Sequence, residues 1–581
     1  MRFEAVLNVL SQKISSQEYQ AVFDLIDNLT KSGCNESAFH ELCSRAFYAT
    51  GNIEEALSAL EKALKIDPEK IHVWLTYGQL LLEKNYALEA ECVYRKIKAS
   101  GGLKEDALLG LAAALSKQNK SQESIQVLRK ILAINPQRID AWFNLAQELS
   151  LADNWEESVR IAKRAHYLSP SDLDIILLLS NGLIKLNRAH EARALWEQIP
   201  QHEKLPPEFH GNLAEIYKLC GEHSRAVNHL IKACDAHPSS LPLKYNLCLC
   251  YEAIGEYEKA IQLAKALVSQ HDSPQFASLL AQLLLVTGDF KSGWKYYEKR
   301  QTNVDFKQEL PNSDVSNRAL NIEFLRSKPV VLVREQGIGD TLFFLRYAKL
   351  LRESDVKIFL DIGPKLSKLI QNSPEIEDIP LWGSPQCYTS NVIPLLVGSL
   401  PYIFGEIIPE PLRFDLRSEE AKSILAKTKL DCDQPTIGVT WQAGLVPKTS
   451  YRERGNLQKR VEPAWLGEAL NNTKGTVVLL QREPTDEDLR AFMKNYKGQI
   501  LDYCNFNHDL ELMLGLLSQL DNYVGVSNTN IHLRAGLGLP ADILICNPPE
   551  WRWMSDGQAS PWFPEFKLFR PRLDGHLYWP N

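Results

Sequence analysis

Four stretches of this 581-residue chain combine side chains whose types and spacing could do chemistry. The first is REQGIGD at 334–340. Gly337 and Gly339 allow a tight turn off a strand, and Asp340 falls in the first turn of the helix that follows. An acid at that point either caps its helix or stands at a cleft, placed to take a proton from a hydroxyl. The second stretch is VSNTNIHLRAGLG at 526–538. Ser527, Asn528 and Thr529 lie between a buried strand and a helix, so free N–H groups and the helix dipole could meet a phosphate. Thr529, Asn530 and His532 would add side-chain donors; the plainer reading is a capped helix with His532 packed on the sheet. The third is WQAGLVPKTSYRERGNLQKR at 441–460, where Gln442 ends a strand and Lys448, Arg452, Arg454, Lys459 and Arg460 follow. Such a run is either a solvated face or a partner for a diphosphate. The fourth, at 548–571, concentrates Trp551, Trp553, Trp562, Phe563, Phe566 and Phe569 among prolines. These rings could stack a base or sugar, or form a tail that packs back across two lobes.

Other clusters say less. The acids of DCD at 431–433 sit in a polar linker ahead of a strand and do not by themselves make a metal site. Cys248 and Cys250 lie two apart on a helix with no further ligands near them in sequence, so they read as packing residues.

Strands and helices must position these groups. From residue 329 apolar runs alternate with amphipathic helices: VVLV, VKIFLD (356–361), TIGVTWQAG (436–444), TVVLLQRE (476–483), NYVGVSN (522–528) and ADILIC (541–546) are the strands. This alternation implies parallel sheets, and its two starts imply two sheets with a cleft between them. Ligands in such folds bind at the carboxyl ends of the strands, where the candidate turns lie. Residues 301–328 lose all periodicity and read as a linker.

Ahead of that linker the chain repeats. Gly51, Asn85, Asn119, Asp153, Asn187, Gly221 and Gly255 are spaced by 34 residues, and Gly288 follows after 33. All are types that tolerate a left-handed turn. Five residues after each comes a small side chain: Ala56, Ala90, Ser124, Ser158, Ala192, Ala226, Ala260 and Gly293. Pro68, Pro136, Pro170 and Pro238 stand where a helix must stop. A helix-turn-helix unit of this period is the tetratricopeptide repeat, whose stacks form curved surfaces for peptides and proteins. SSQEYQAVFDLIDNL, near the start, fits the second helix of an incomplete capping repeat.

Composition sets bounds. A net charge of −7 argues against a general nucleic-acid binder, and no apolar run is long enough for a membrane span. The first residues do not form a secretory signal, and the 11 scattered cysteines suggest reduced thiols and a cytoplasmic location.

Taken together, GIGD, HLRAGLG and EWRW…SPWFP, in that order, resemble bacterial glycosyltransferases of the heptosyltransferase-like group joined to tetratricopeptide repeats. GDFKSGWKYYEKR (288–300), at the end of the repeats, fits the same layout. The resemblance implies an all-α repeat superhelix over 1–300, the linker at 301–328, and an α/β domain of the GT-B type. Its two Rossmann-like lobes would be a short one at 329–418 and a nucleotide-sugar-binding one at 419–581. It implies an inverting, metal-independent transferase with no cofactor beyond its nucleotide-sugar donor. Asp340 matches the family's candidate catalytic base. Thr529, Asn530 and His532 match donors to the sugar-nucleotide diphosphate, with Gly337, Gly339, Gln442, Ser527 and Asn528 beside them. Lys448, Arg452 and Arg454 match the segment that supplies a cation to the leaving phosphate. Ser527 and Asn528 depart from the family's usual Asp-Thr, which bears on whether ADP-heptose is the donor. The short first lobe points to an acceptor held by the repeats, as in flagellin-modifying transferases and O-GlcNAc transferase. The expected activity is transfer to Ser or Thr of a protein, with flagellin a candidate. A lipid-linked or polysaccharide acceptor, or an inactive scaffold, are the alternatives.

Overall fold

A computed structural model describes all residues except 1, 100–103, 200–204, 310–319, 336, 384–390, 417–422, 424, 427, 429, 431–433, 445–458 and 572–581. Lys448, Arg452, Arg454 and the DCD acids therefore lie outside the described residues. The chain divides into two compact units, Met1–Cys220 and Gly221–Asn581.

The turn register holds along the whole helical region. Gly51, Asn85, Asn119, Asp153, Asn187, Gly221, Gly255 and Gly288 all have positive φ, between 56° and 92°. Each sits between two helices, as in Ser37–Ala49 and Ile53–Ile66 or Ile139–Leu151 and Trp155–Leu168. The small residues five positions on are all buried at helix contacts. A Cβ added at Gly293 would lie 2.6 Å from the Leu285 side chain, so glycine is required there. Where serine replaces alanine its hydroxyl is satisfied locally: Ser124 donates to the Ala112 carbonyl at 3.0 Å and Ser158 to that of Ala146 at 2.7 Å. The prolines follow helix ends, and the carbonyls of Pro68 and Pro136 accept from the indoles of Trp74 and Trp142. Two helices, Arg2–Ser15 and Tyr19–Lys31, precede these pairs in the first unit; the sequence signalled only the second. Cys248 and Cys250 are fully buried in packing positions.

The second unit begins with repeat helices and continues into two parallel sheets. The first sheet has the order β2-β1-β3, with β1 at Val330–Val333, β2 at Ile358–Asp361 and β3 at Ile393–Leu396. The second has the order β6-β5-β4-β7-β8-β9. Its strands are β4 (Thr436–Val439), β5 (Thr476–Leu479), β6 (Ile500–Asp502), β7 (Asn522–Gly525), β8 (Ala541–Leu544) and β9 (Phe566–Phe569). The stretch read as linker carries helices at Gln301–Glu309 and Ile322–Arg326.

One core joins the last repeat to the sheets. Leu285, Val286 and Trp294 share it with Phe324, Val330, Phe343, Phe344, Trp551 and Trp562. The Trp294 ring lies edge-on, 5.1 Å from Trp551 and 6.1 Å from Trp562. The aromatic tail is therefore core: Trp553, Trp562, Phe563 and Phe566 are almost wholly buried, and Phe566 opens β9. Among the described residues no helix is long and apolar enough to cross a membrane.

Candidate active site

Both candidate turns lie where the strand order reverses. β1 has β2 on one side and β3 on the other, while β4 is flanked by β5 and β7. In open parallel sheets these switch points leave a crevice beyond the carboxyl ends of the strands. The chain leaving β1 turns through Glu335 and Gly337 into the helix Ile338–Leu345. The chain leaving β7 turns through Ser527 and Asn528 into the helix Thr529–Gly536.

The two helix starts touch at Gly339. A Cβ there would meet the His532 ring at 3.0 Å and the Thr529 Cα at 3.5 Å. At Gly337 the same addition would reach only Asp340 Oδ2 at an ordinary 3.5 Å, so its smallness is not used for packing.

Asp340 does not cap its own helix with its side chain. Its Oδ1 accepts a hydrogen bond from Nη2 of Arg552, and the side chain keeps 28% of its exposure. Arg552 is buried against two rings, its guanidinium carbon 4.4 Å from the Trp551 centroid and 4.6 Å from that of Phe343. Its other terminal nitrogen binds Glu550. Glu550 in turn accepts from the Ser527 hydroxyl at 2.7 Å and from Lys459 Nζ at 3.0 Å. Burial alone would raise the Glu550 carboxyl, but Lys459 and Arg552 pull it down to about 2. Two carboxylates and two cations are thus interleaved in one chain of contacts.

His532 is buried beside them, edge-on to Phe563 at 5.5 Å and to Phe343 at 6.1 Å. Burial first, then the nearby charges of Arg552 and Arg346, hold its imidazole well below the usual range, so it is neutral. Asn528 caps the second helix, accepting from the Asn530 N–H at 3.0 Å, and donates to Thr440 at 2.8 Å and to Tyr523 at 3.0 Å. Asn530 is buried at the same helix start, and Thr529 is half-buried.

Gln442 belongs to a different set of partners. Its N–H binds Gln481 at 2.9 Å and its side-chain oxygen accepts from Arg460 at 2.7 Å; Arg460 is clamped to both oxygens of Asp488. So the structure gathers Asp340, Gly339, Ser527, Thr529 and His532, and it leaves Gln442 committed elsewhere.

Sequence reasoning missed Glu550 and Arg552. The available signal was a Glu and an Arg two apart among tryptophans: charges in such a run must be buried, and buried charges come paired. It also missed the clamp behind the first turn. Glu335 has a wholly buried side chain that takes two bonds from Arg300, at 2.9 and 2.7 Å, and accepts from the Gly398 N–H. Arg300 ends the last repeat region, so repeat residues hold the turn that carries Asp340.

A cavity of about 600 Å³ opens at the ends of β1 and β2, lined by Arg334, Gly337, Ile338, Thr341, Pro364 and Lys365 among others. Among the described residues no group of three or more His, Cys, Asp or Glu gathers to hold a metal.

Three tetratricopeptide-repeat family models match the chain, at residues 44–70, 106–138 and 221–283. The chain therefore carries tetratricopeptide repeats. No curated protein matches it. Among solved structures, it is similar to a tetratricopeptide repeat protein from Parabacteroides merdae, at 14% identity over 42% of this chain and 97% of the other, with a TM-score of 0.33. It is also similar to the pilF product of Pseudomonas aeruginosa, at 18% identity over 36% and 95%, with a TM-score of 0.32. The C-terminal part of a repeat protein from Cytophaga hutchinsonii matches at 12% identity over 42% and 99%, with a TM-score of 0.34. The repeat assignment rests on the family models and on the turn register.

Proposed function

We propose that the chain is a cytoplasmic, inverting glycosyltransferase of the GT-B type that moves a sugar from a nucleotide sugar to Ser or Thr of a protein held by the repeats. The supporting observation is the meeting of two switch-point turns, one bringing a partly exposed carboxylate and the other a helix start, beside the buried Arg552 and the partly exposed Lys459. The acceptor oxygen attacks the anomeric carbon as Asp340 takes its proton. The bond from that carbon to the diphosphate oxygen breaks, and the nucleoside diphosphate leaves with the electron pair. Lys459, Arg552 and the N–H groups at Thr529 would stabilise the charge on the leaving phosphate. The neutral His532 would donate or accept a hydrogen bond there without adding charge. The cavity beside Gly337 offers the acceptor side chain an approach. No metal is assigned a role.

The first test is a thermal-shift panel of CMP-, UDP-, GDP- and ADP-linked sugars on the full chain. A true donor raises the melting temperature, because only the folded state binds it. No shift with any of them would favour the scaffold reading. Glycan analysis of flagellin and other proteins in a deletion strain then separates a protein acceptor from a lipid-linked or polysaccharide one.

A further inference from the structure

The four charged groups of the site differ in where they face. Glu550 and Arg552 are buried, whereas Asp340 and Lys459 keep 28% and 29% side-chain exposure. An anion arriving from solvent therefore meets one carboxylate and one ammonium, and the carboxylate occupies an arm of the buried guanidinium. Arg552 is under-used even so: among the described residues its Nε has no hydrogen-bond partner. Trp551 and Phe343 pack on the same side of the guanidinium, 4.4 and 4.6 Å from its carbon with their own ring centres only 5.1 Å apart, so they do not pin it from opposite faces. Glu550 would keep the guanidinium neutralised if Asp340 let go.

We propose that Asp340 stands in for the donor's diphosphate: the anion displaces it from Arg552, and only then is the carboxylate available to the acceptor hydroxyl. This rests on the transferase reading and adds an order to it, donor before acceptor activation. A diphosphate carries at least two negative charges and several acceptor oxygens, so it outcompetes a single carboxylate for a forked donor. Lys459 makes the first contact, Arg552 shifts from Asp340 to the phosphate oxygens, and Ser527 and Glu550 stay as they are. The arrangement also makes chemical sense without donor, since a free base beside a bound acceptor accomplishes nothing.

The exchange is tested by calorimetry with inorganic pyrophosphate on the full-length chain, which requires no knowledge of the sugar. Asp340→Asn removes the competing charge and should bind pyrophosphate at least about tenfold more tightly than the wild type. Arg552→Lys keeps the buried charge but loses the fork; in the Asp340→Asn background it should abolish that gain. Pyrophosphate bound by the wild type and bound equally, or more weakly, by Asp340→Asn would overturn the exchange and leave the donor site standing. Binding by neither protein would remove the donor site and the exchange together. Should Arg552→Lys fail to fold, the comparison of Asp340→Asn with wild type still decides.

Discussion

Asp340 is bound to Arg552 and not to the N–H groups of its own helix, which matters for what its removal should do. As a general base it would contribute roughly 10²- to 10⁴-fold. Asp340→Ala should reduce transfer on that scale while the melting temperature stays close to wild type; full turnover in a folded variant would return Asp340 to a structural role. Thr529→Ala tests the other turn more cleanly than a change at His532, whose ring fills space between Phe343 and Phe563. It should weaken donor binding, read by calorimetry with nucleotide alone, and leave acceptor affinity unchanged. A third residue reports on the repeats. Glu252 is almost wholly buried, and burial pushes its carboxyl up to about 7, opposed by the hydrogen bond from Gln282. A folded value above the unfolded one means that stability is complete below about pH 4.5 and is lost as pH rises through about 7. Glu252→Gln removes the titration. It should melt close to wild type at pH 5 and several degrees higher at pH 8, and identical differences at both pH values would refute the assignment.

Between elements, the decisive contact is the one from the last repeat into the first strand-end turn. Arg300 and Glu335 form a buried ion pair, further fixed by the Gly398 N–H and by the Tyr297 ring, which lies 4.6 Å from the guanidinium. Removing one member of such a pair strands a buried charge, so Arg300→Ala should cost about 3–5 kcal/mol in chemical denaturation. The same geometry sets where the chain can be cut. A fragment starting at residue 320 lacks Leu285, Val286, Trp294 and Arg300, and so loses part of its own core. It should not melt cooperatively, whereas a fragment starting at Gly221, the edge of the second compact unit, should. Circular dichroism melts of the two fragments make the comparison.

For the whole molecule the question is division of labour between the two units. The first consists of repeats, and such stacks offer extended concave surfaces to partners. If they select the acceptor, residues 221–581 should still show a melting shift with the donor sugar yet fail to modify the protein acceptor. Residues 1–220, once shown to be folded and helical, should capture that acceptor with no donor present. A truncated enzyme that still glycosylates protein, beside a folded repeat fragment with no affinity for it, would sink the protein-acceptor model and advance the lipid or polysaccharide one.

What the sequence by itself determined depends on near neighbours along the chain, although the helices Arg2–Ser15, Gln301–Glu309 and Ile322–Arg326 gave no such signal. The left-handed turns from Gly51 to Gly288, the small residues five positions on and the helix-stopping prolines are local backbone requirements repeated at a fixed period. They survive without knowledge of the fold, as do six of the nine strands among the described residues. Of the three missed strands, β3 contains Pro394, β6 is only three residues long, and β9 lies inside a run of aromatics that reads equally well as a packed tail. Tertiary structure decided which charges meet. Asp340 and Arg552 are 212 residues apart, Arg300 and Glu335 are 35 apart, and Ser527 reaches Glu550 across 23. No period records such pairings, because an ion pair depends on the distance between side chains in space and on their removal from water. Both are set only when the two sheets and the last repeat close on a common core.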